Sequence, residues 1–131
     1  MRLPEAQTDK QKVFLEDFLD YLITIQNKSK NTVKEYNYDL NMFLKYMKIH
    51  FHLTDEKDFA AISIKDFTID DLKRIKLDDI HAFLSYLALE MKSKPSTRAR
   101  KVSTIRIFFK YLFYNLIIDI IITWIKEITI F

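Results

Sequence analysis

The sequence of 131 residues contains no glycine, and Pro4 and Pro95 are its only prolines. Tight β-hairpins depend on positions of positive φ, which glycine fills at least cost, and on the fixed φ of proline. A chain so poor in both is expected to be all-α. Its length corresponds to one compact domain, and an apolar content of 49% is enough to build a core. The absence of cysteine excludes a disulfide framework and a cysteine-based zinc site, and suits a reducing cytoplasm. The first residues lack the basic segment, apolar stretch and cleavage site of a signal peptide, so a cytoplasmic location is expected.

Apolar spacing predicts an orthogonal bundle of four main helices, about 9–27, 30–50, 77–92 and 95–114. The first is capped by Thr8 or Asp9 and repeats Phe14, Leu15, Phe18, Leu22 and Ile25 at steps of three and four. The second, capped by Ser29, carries the stripe Val33, Tyr36, Leu40, Phe43 and Met47. Leu77, Ile80, Phe83, Leu84, Leu87 and Met91 define the third, with Asp78 and Asp79 at the positive end of its dipole. Pro95 suits the first turn of a new helix, so Lys94 to Ser96 is a corner and the fourth helix follows. Between His52 and Asp71 the period fails, which predicts a connector with one helical turn near Asp55 to Ala60 and a short strand-like "ISI".

The net charge of +3 is mild, but its distribution is uneven. Lys94, Arg98, Arg100, Lys101, Arg106 and Lys110 lie in a stretch without an acidic residue, whereas the segment from Asp55 to Asp71 is rich in carboxylates. At 100° per residue, Val102, Ile105, Phe109 and Leu112 share one arc of the fourth helix, opposite Arg100, Ser103, Arg106, Ile107 and Lys110. The second helix likewise turns Asn31, Lys34, Tyr38, Asn41 and Lys45 away from its stripe, with Lys28 and Lys30 at its open end. Arg and Lys neutralise phosphates, hydroxyls donate to phosphate oxygens, and Arg or Asn can read base edges. An uneven basic surface of this kind also arises on ordinary solvated helices, so composition alone leaves both readings open.

Residue order is more specific. "KSKNTVKEYNYDLNMFLKYM" contains Thr32, Tyr36, Asp39, Leu40 and Phe43, and "RKVSTIRIFFKYL" contains Arg100, Ser103, Arg106, Phe109, Tyr111 and Leu112. The pair closely resembles the N-terminal core-binding, SAM-like domain of the tyrosine recombinases, also called the phage integrase family. There a Thr-x-x-x-Tyr-x-x-Asp-Leu-x-x-Phe run precedes an Arg-x-x-Ser-x-x-Arg-x-x-Phe-x-Tyr-Leu run. The likeness spans Lys10 to Asn115. It implies a four-helix bundle that closes over one side of duplex DNA while a separate C-terminal domain takes the other. It places Ser29, Thr32 and Tyr36 at the start of a DNA-facing second helix, and Arg100, Ser103 and Arg106 on the fourth. The helical wheel adds Asn31, Lys34 and Lys110 to the candidate DNA-binding residues, and Lys30 joins them from the open end of the second helix. Tyr36 also lies on the apolar stripe, where its ring packs and only its hydroxyl reaches outward.

In that family the tyrosine nucleophile and its supporting Arg, Lys and His groups belong to the catalytic domain. The resemblance therefore implies that this chain, a truncated recombinase, is not an enzyme and needs no cofactor. His50, His52 and His81 lack partners at ligand spacing, and no metal site is expected. After Asn115 the resemblance stops. Residues 116–131 form an Ile-rich extension in which Leu116, Ile120, Trp124 and Ile128 allow a fifth helix, docked on the bundle or on a second copy. Its β-branched residues allow a strand as well, and a membrane span is not expected, since the segment is shorter than a bilayer and is interrupted by Asp119, Lys126 and Glu127.

Duplex DNA is thus the expected partner of residues 1–115, in site-specific recombination. A second reading is a helical protein-protein interaction module that works through the extension, by self-association or by pairing with a full-length recombinase. A third, in which the extension enters a lipid surface, is the weakest.

Overall fold

In the computed structural model the described residues are 15–129, with side chains to 127. The expected cap at Thr8 or Asp9 and the contribution of Phe14 lie outside them. Among the described residues the chain is helical without strands. A first helix, α1, covers 15–24. It is followed by α2 (Lys30–His50), a 3-10 turn at Phe59–Ala61, α3 (Ile69–Lys73), α4 (Leu77–Leu89) and α5 (Pro95–Thr129).

Three differences from the sequence reading have physical causes. The segment "ISI" is not a strand; Ile62 is buried in the connector, which is held from α2 by Lys48. The Lys48 ammonium donates to the Ser63 carbonyl at 2.7 Å and to Asp66 Oδ1 at 2.6 Å. The connector also contains α3, whose single turn is fixed by a reciprocal cap between Thr68 and Asp71. Finally, the expected fourth and fifth helices are one continuous helix of 35 residues. Nothing in "FYNLIIDII" interrupts it, because Asn115 returns its amide to the Tyr111 carbonyl and neither Pro nor Gly intervenes.

The core forms where α1, α2, α4 and α5 meet. Phe18, Leu22, Leu40, Phe43, Met47, Phe83 and Phe108 are fully excluded from solvent. Their rings interlock edge to face, with Phe18 against Phe108 and Phe43 against Phe83 each at 5.2 Å between centroids. The ends of the expected stripes fall outside this core: Ile25, Leu77 and Met91 are exposed, since α1 and α4 stop short of the outer two and α4 begins at Leu77.

Helix endings bear the cost of a sequence without glycine. Asn27, His52 and Lys92 adopt φ of 52°, 57° and 51°, the left-handed region that glycine fills most easily. In each case the next amide turns back to the helix just ended: Lys28 to the Leu22 carbonyl at 2.9 Å, Leu53 to Lys48 at 2.8 Å, and Ser93 to Leu87 at 2.9 Å. Asn and His tolerate this conformation better than Lys. The α2–α4 junction is closed by His50 Nε2, 2.9 Å from Asp79 Oδ1, while the other Asp79 oxygen accepts from the Lys76 amide at 2.8 Å.

Two outcomes are expected. Lys92→Gly should raise the stability measured by urea unfolding by about 0.5–1 kcal/mol, because it relieves a left-handed residue that carries a Cβ; a lower midpoint would contradict this origin of the helix end. The Lys76 amide, foremost, lowers the Asp79 pKa; partial burial opposes it, and the hydrogen bond and charge of His50 add to it. A carboxyl with a depressed folded pKa stabilises above its ordinary value and loses that contribution as pH falls through the folded value. Asp79→Asn should therefore remove part of the loss of stability on acidification, read as a shallower acid limb in a pH series of thermal unfolding.

Candidate nucleic-acid interface

The second and last helices are joined by an ionic cluster. The Asp39 side chain, fully buried, projects from α2 toward α5, and Lys101, 5% exposed, projects back to meet it. Asp39 Oδ1 accepts from Lys101 Nζ at 2.7 Å and from Arg100 Nη2 at 3.1 Å. The Thr104 hydroxyl lies 3.1 Å from Asp39 Oδ2 and 3.2 Å from the Arg100 carbonyl, with one proton to give. Arg100 also approaches Glu35 at 3.9 Å, and the Lys101 ammonium stands 5.0 Å from the centre of the Tyr38 ring. No buried side-chain polar atom among the described residues is left without a partner.

This cluster explains why the α5 wheel is rotated from the one that apolar residues alone suggest. The face of α5 turned inward is Lys101, Thr104, Ile105 and Phe108, with Val102 and Phe109 half-buried beside it. Ile107, expected on the outer side, is half-buried and packs against the core. On α2, Asn41 is half-buried, with its amide on the Asn37 carbonyl, and Lys45 lies over the Phe59 ring.

The candidate residues divide into two groups. Lys30, Asn31 and Lys34 on α2, and Ser103, Arg106 and Lys110 on α5, are exposed. Among the described residues none of Lys30, Lys34, Arg106 and Lys110 forms an ion pair. The others have structural duties. The Ser29 hydroxyl caps α2 by accepting from the Thr32 amide at 3.2 Å, and the two hydroxyls are 2.9 Å apart. Tyr36 is half-buried and packs against the core. Arg100 is committed to Asp39, although its side chain remains 45% exposed. Arg98, part of the same basic stretch, folds back onto the Ser93 carbonyl.

Sequence reasoning missed Lys101 and Thr104 as partners of Asp39. The signal was present as a polar residue between apolar ones at Asp39, next to Leu40, and an acid-free stretch that supplies its counter-ions. No group of His, Asp and Glu side chains among the described residues could hold a metal ion, and no helix there is long and apolar enough to cross a membrane.

Comparison with known proteins places this sequence in a class. The family model described as phage integrase, N-terminal SAM-like domain, matches residues 14–119. The chain belongs to that family. Tyrosine recombinase XerC of Caldanaerobacter subterraneus subsp. tengcongensis is 38% identical over 105 residues, which are 79% of this chain and 30% of that protein. Tyrosine recombinase XerD of Listeria monocytogenes serovar 1/2a is 33% identical over 101 residues, 77% of this chain and 28% of the relative. XerC of Leptospira interrogans serovar copenhageni is 26% identical over 111 residues, 85% of this chain and 30% of its own length. The chain thus spans about 30% of the length of these curated relatives. No solved structure gave a significant match.

The cluster makes a direct prediction. Asp39→Ala leaves the Lys101 ammonium buried without its counter-ion and should cost about 3–5 kcal/mol of folding stability. Asp39→Asn, which keeps hydrogen-bond acceptance, should cost less. Equal losses in urea unfolding would mean that shape, rather than charge, holds the two helices together.

Proposed function

We propose that this chain grips duplex DNA as the N-terminal domain of a recombinase, in site-specific recombination, and that strand cleavage is supplied elsewhere. The observation that carries the reading is the set of exposed cations that form no ion pair among the described residues, Lys30 and Lys34 on α2 and Arg106 and Lys110 on α5. Phosphates are the ligands that such cations neutralise at least cost, since no internal pair must first be broken. Ser103 and Asn31 stand beside them as hydrogen-bond donors. The tyrosine recombinases among the relatives support the same reading.

Within it, Arg100 acts chiefly as a positioning residue: it holds α2 against α5 through Asp39 and offers its remaining surface to a phosphate. Ser29, Thr32 and Tyr36 set the start and the inner packing of α2. Binding is weakly sequence-dependent, because contacts to phosphate carry no base information. The reading places the protein in the cytoplasm with its DNA.

The test is binding to a mixed-sequence duplex of about thirty base pairs over a salt series, read by fluorescence anisotropy. The logarithm of the affinity should fall linearly with the logarithm of salt, and Lys34→Ala with Arg106→Ala should reduce the slope by about two. Both side chains are exposed, so stability should hardly change. A folded protein that does not bind at low salt, or a double variant with an unchanged slope, overturns the proposal.

A further inference from the structure

Beyond the bundle, α5 continues as a projecting helix with exposed apolar side chains on every side. Phe113, Ile120 and Trp124 are 60%, 66% and 65% exposed. Ile118, Ile121, Ile122 and Ile125 are also exposed. Soluble proteins seldom leave a contiguous apolar surface of this extent uncovered. What covers it is written in the order of one stripe.

Lys110, Phe113, Ile117, Ile120, Trp124 and Glu127 follow one another at steps of three and four, the seam of a paired helix. All are exposed except Ile117, which is half-buried. The stripe reads as its own complement when reversed. Laid antiparallel on a second copy, Lys110 meets Glu127, Phe113 meets Trp124, and Ile117 meets Ile120. The other two charges of this half, Asp119 and Lys126, fall on the opposite side of the helix. Neither Lys110 nor Glu127 forms an ion pair among the described residues.

We infer that this protein forms a two-fold symmetric dimer through residues 110–127 of α5, antiparallel, with the two-fold axis between Ile118 and Asp119. A two-fold interface uses the same patch on both copies, so residue i meeting j requires j to meet i, and this stripe satisfies that condition along its length. The apolar part of the patch that both copies bury is Phe113, Ile117, Ile120 and Trp124, three of which are 60%, 66% and 65% exposed in the single chain. A reciprocal Lys–Glu pair at each end fixes direction and register, as charges at the edges of a coiled coil do. The dimer shares one residue with the proposed DNA face, since Lys110 turns to Glu127 of the second copy, whereas Lys30, Lys34 and Arg106 lie outside the paired segment and stay open.

The test uses the full chain in sedimentation equilibrium, with circular dichroism to confirm that each variant is folded. The wild-type protein should be a dimer, and Ile120→Asp/Trp124→Asp a helical monomer. Lys110→Glu alone and Glu127→Lys alone should each weaken dimerisation several-fold, and the two together should restore it. The chain has no cysteine, so single introduced thiols report register cleanly. A mixture of Phe113→Cys and Trp124→Cys chains should give a mixed disulfide under mild oxidation, and neither chain alone should cross-link efficiently. A monomer at every concentration, a charge-reversed pair that fails to recover, or cross-linking of either single variant by itself overturns the inference.

Discussion

The contact on which the rest of the molecule depends is the Asp39 carboxylate, closed off from water between α2 and α5 and held by Lys101, Arg100 and Thr104. A buried charge is tolerated only where its partners satisfy it, and moving either helix by one turn would leave both an acid and a base buried and unpaired. Apolar packing alone would accept neighbouring registers of these helices, since rings and aliphatic chains make non-directional contacts. The ionic cluster removes that freedom. It sets which side of α5 faces the core, and by doing so it sets which side carries Ser103, Arg106 and Lys110 outward. The function proposed for the outer faces is thus tied to a contact on the inside.

Much of this fold was legible in the sequence because helices carry their own period. The cap at Ser29, the extent of α2 and the proline start of α5 follow from residues that act locally, and the structure has them where expected. The expected third helix ends earlier, at Leu89, because the chain turns through a left-handed Lys92 to reach Pro95. At Lys101 and in the connector, where the reading departed from the structure, the cause is a contact between distant residues. The inward turn of Lys101 depends on Asp39, 62 positions away, and no wheel drawn from one helix contains that information. The connector is similar: its order comes from Lys48 reaching across to Ser63 and Asp66, not from a periodicity of its own.

For the candidate site, residue types pointed to the right helices but did not divide labour among side chains. Arg100 and Lys101 look equivalent to Arg106 and Lys110 in a string of letters, yet the first two are engaged by one carboxylate and the last two form no ion pair among the described residues. The long α5 completes the arrangement. At 1.5 Å per residue its 35 residues extend about 52 Å. Its first half is fastened to the bundle with a cationic outer side, and its second half projects with an apolar one. Of the two dockings expected for that second half, on its own bundle or on a second copy, the first is not what the structure has, since Ile120 to Ile125 stand exposed.

The central claim, that the inner cluster orients one particular outer surface toward DNA, is tested most directly by mapping that surface. Amide chemical shifts of the isotopically labelled protein would be followed as a short duplex is added at low salt. The account predicts shifts confined to the outer faces of α2 and the first half of α5, centred on Lys34 and Arg106, with the connector and α3 unmoved. Shifts concentrated instead on the acidic connector, or spread over the core amides around Phe43 and Phe108, would contradict it.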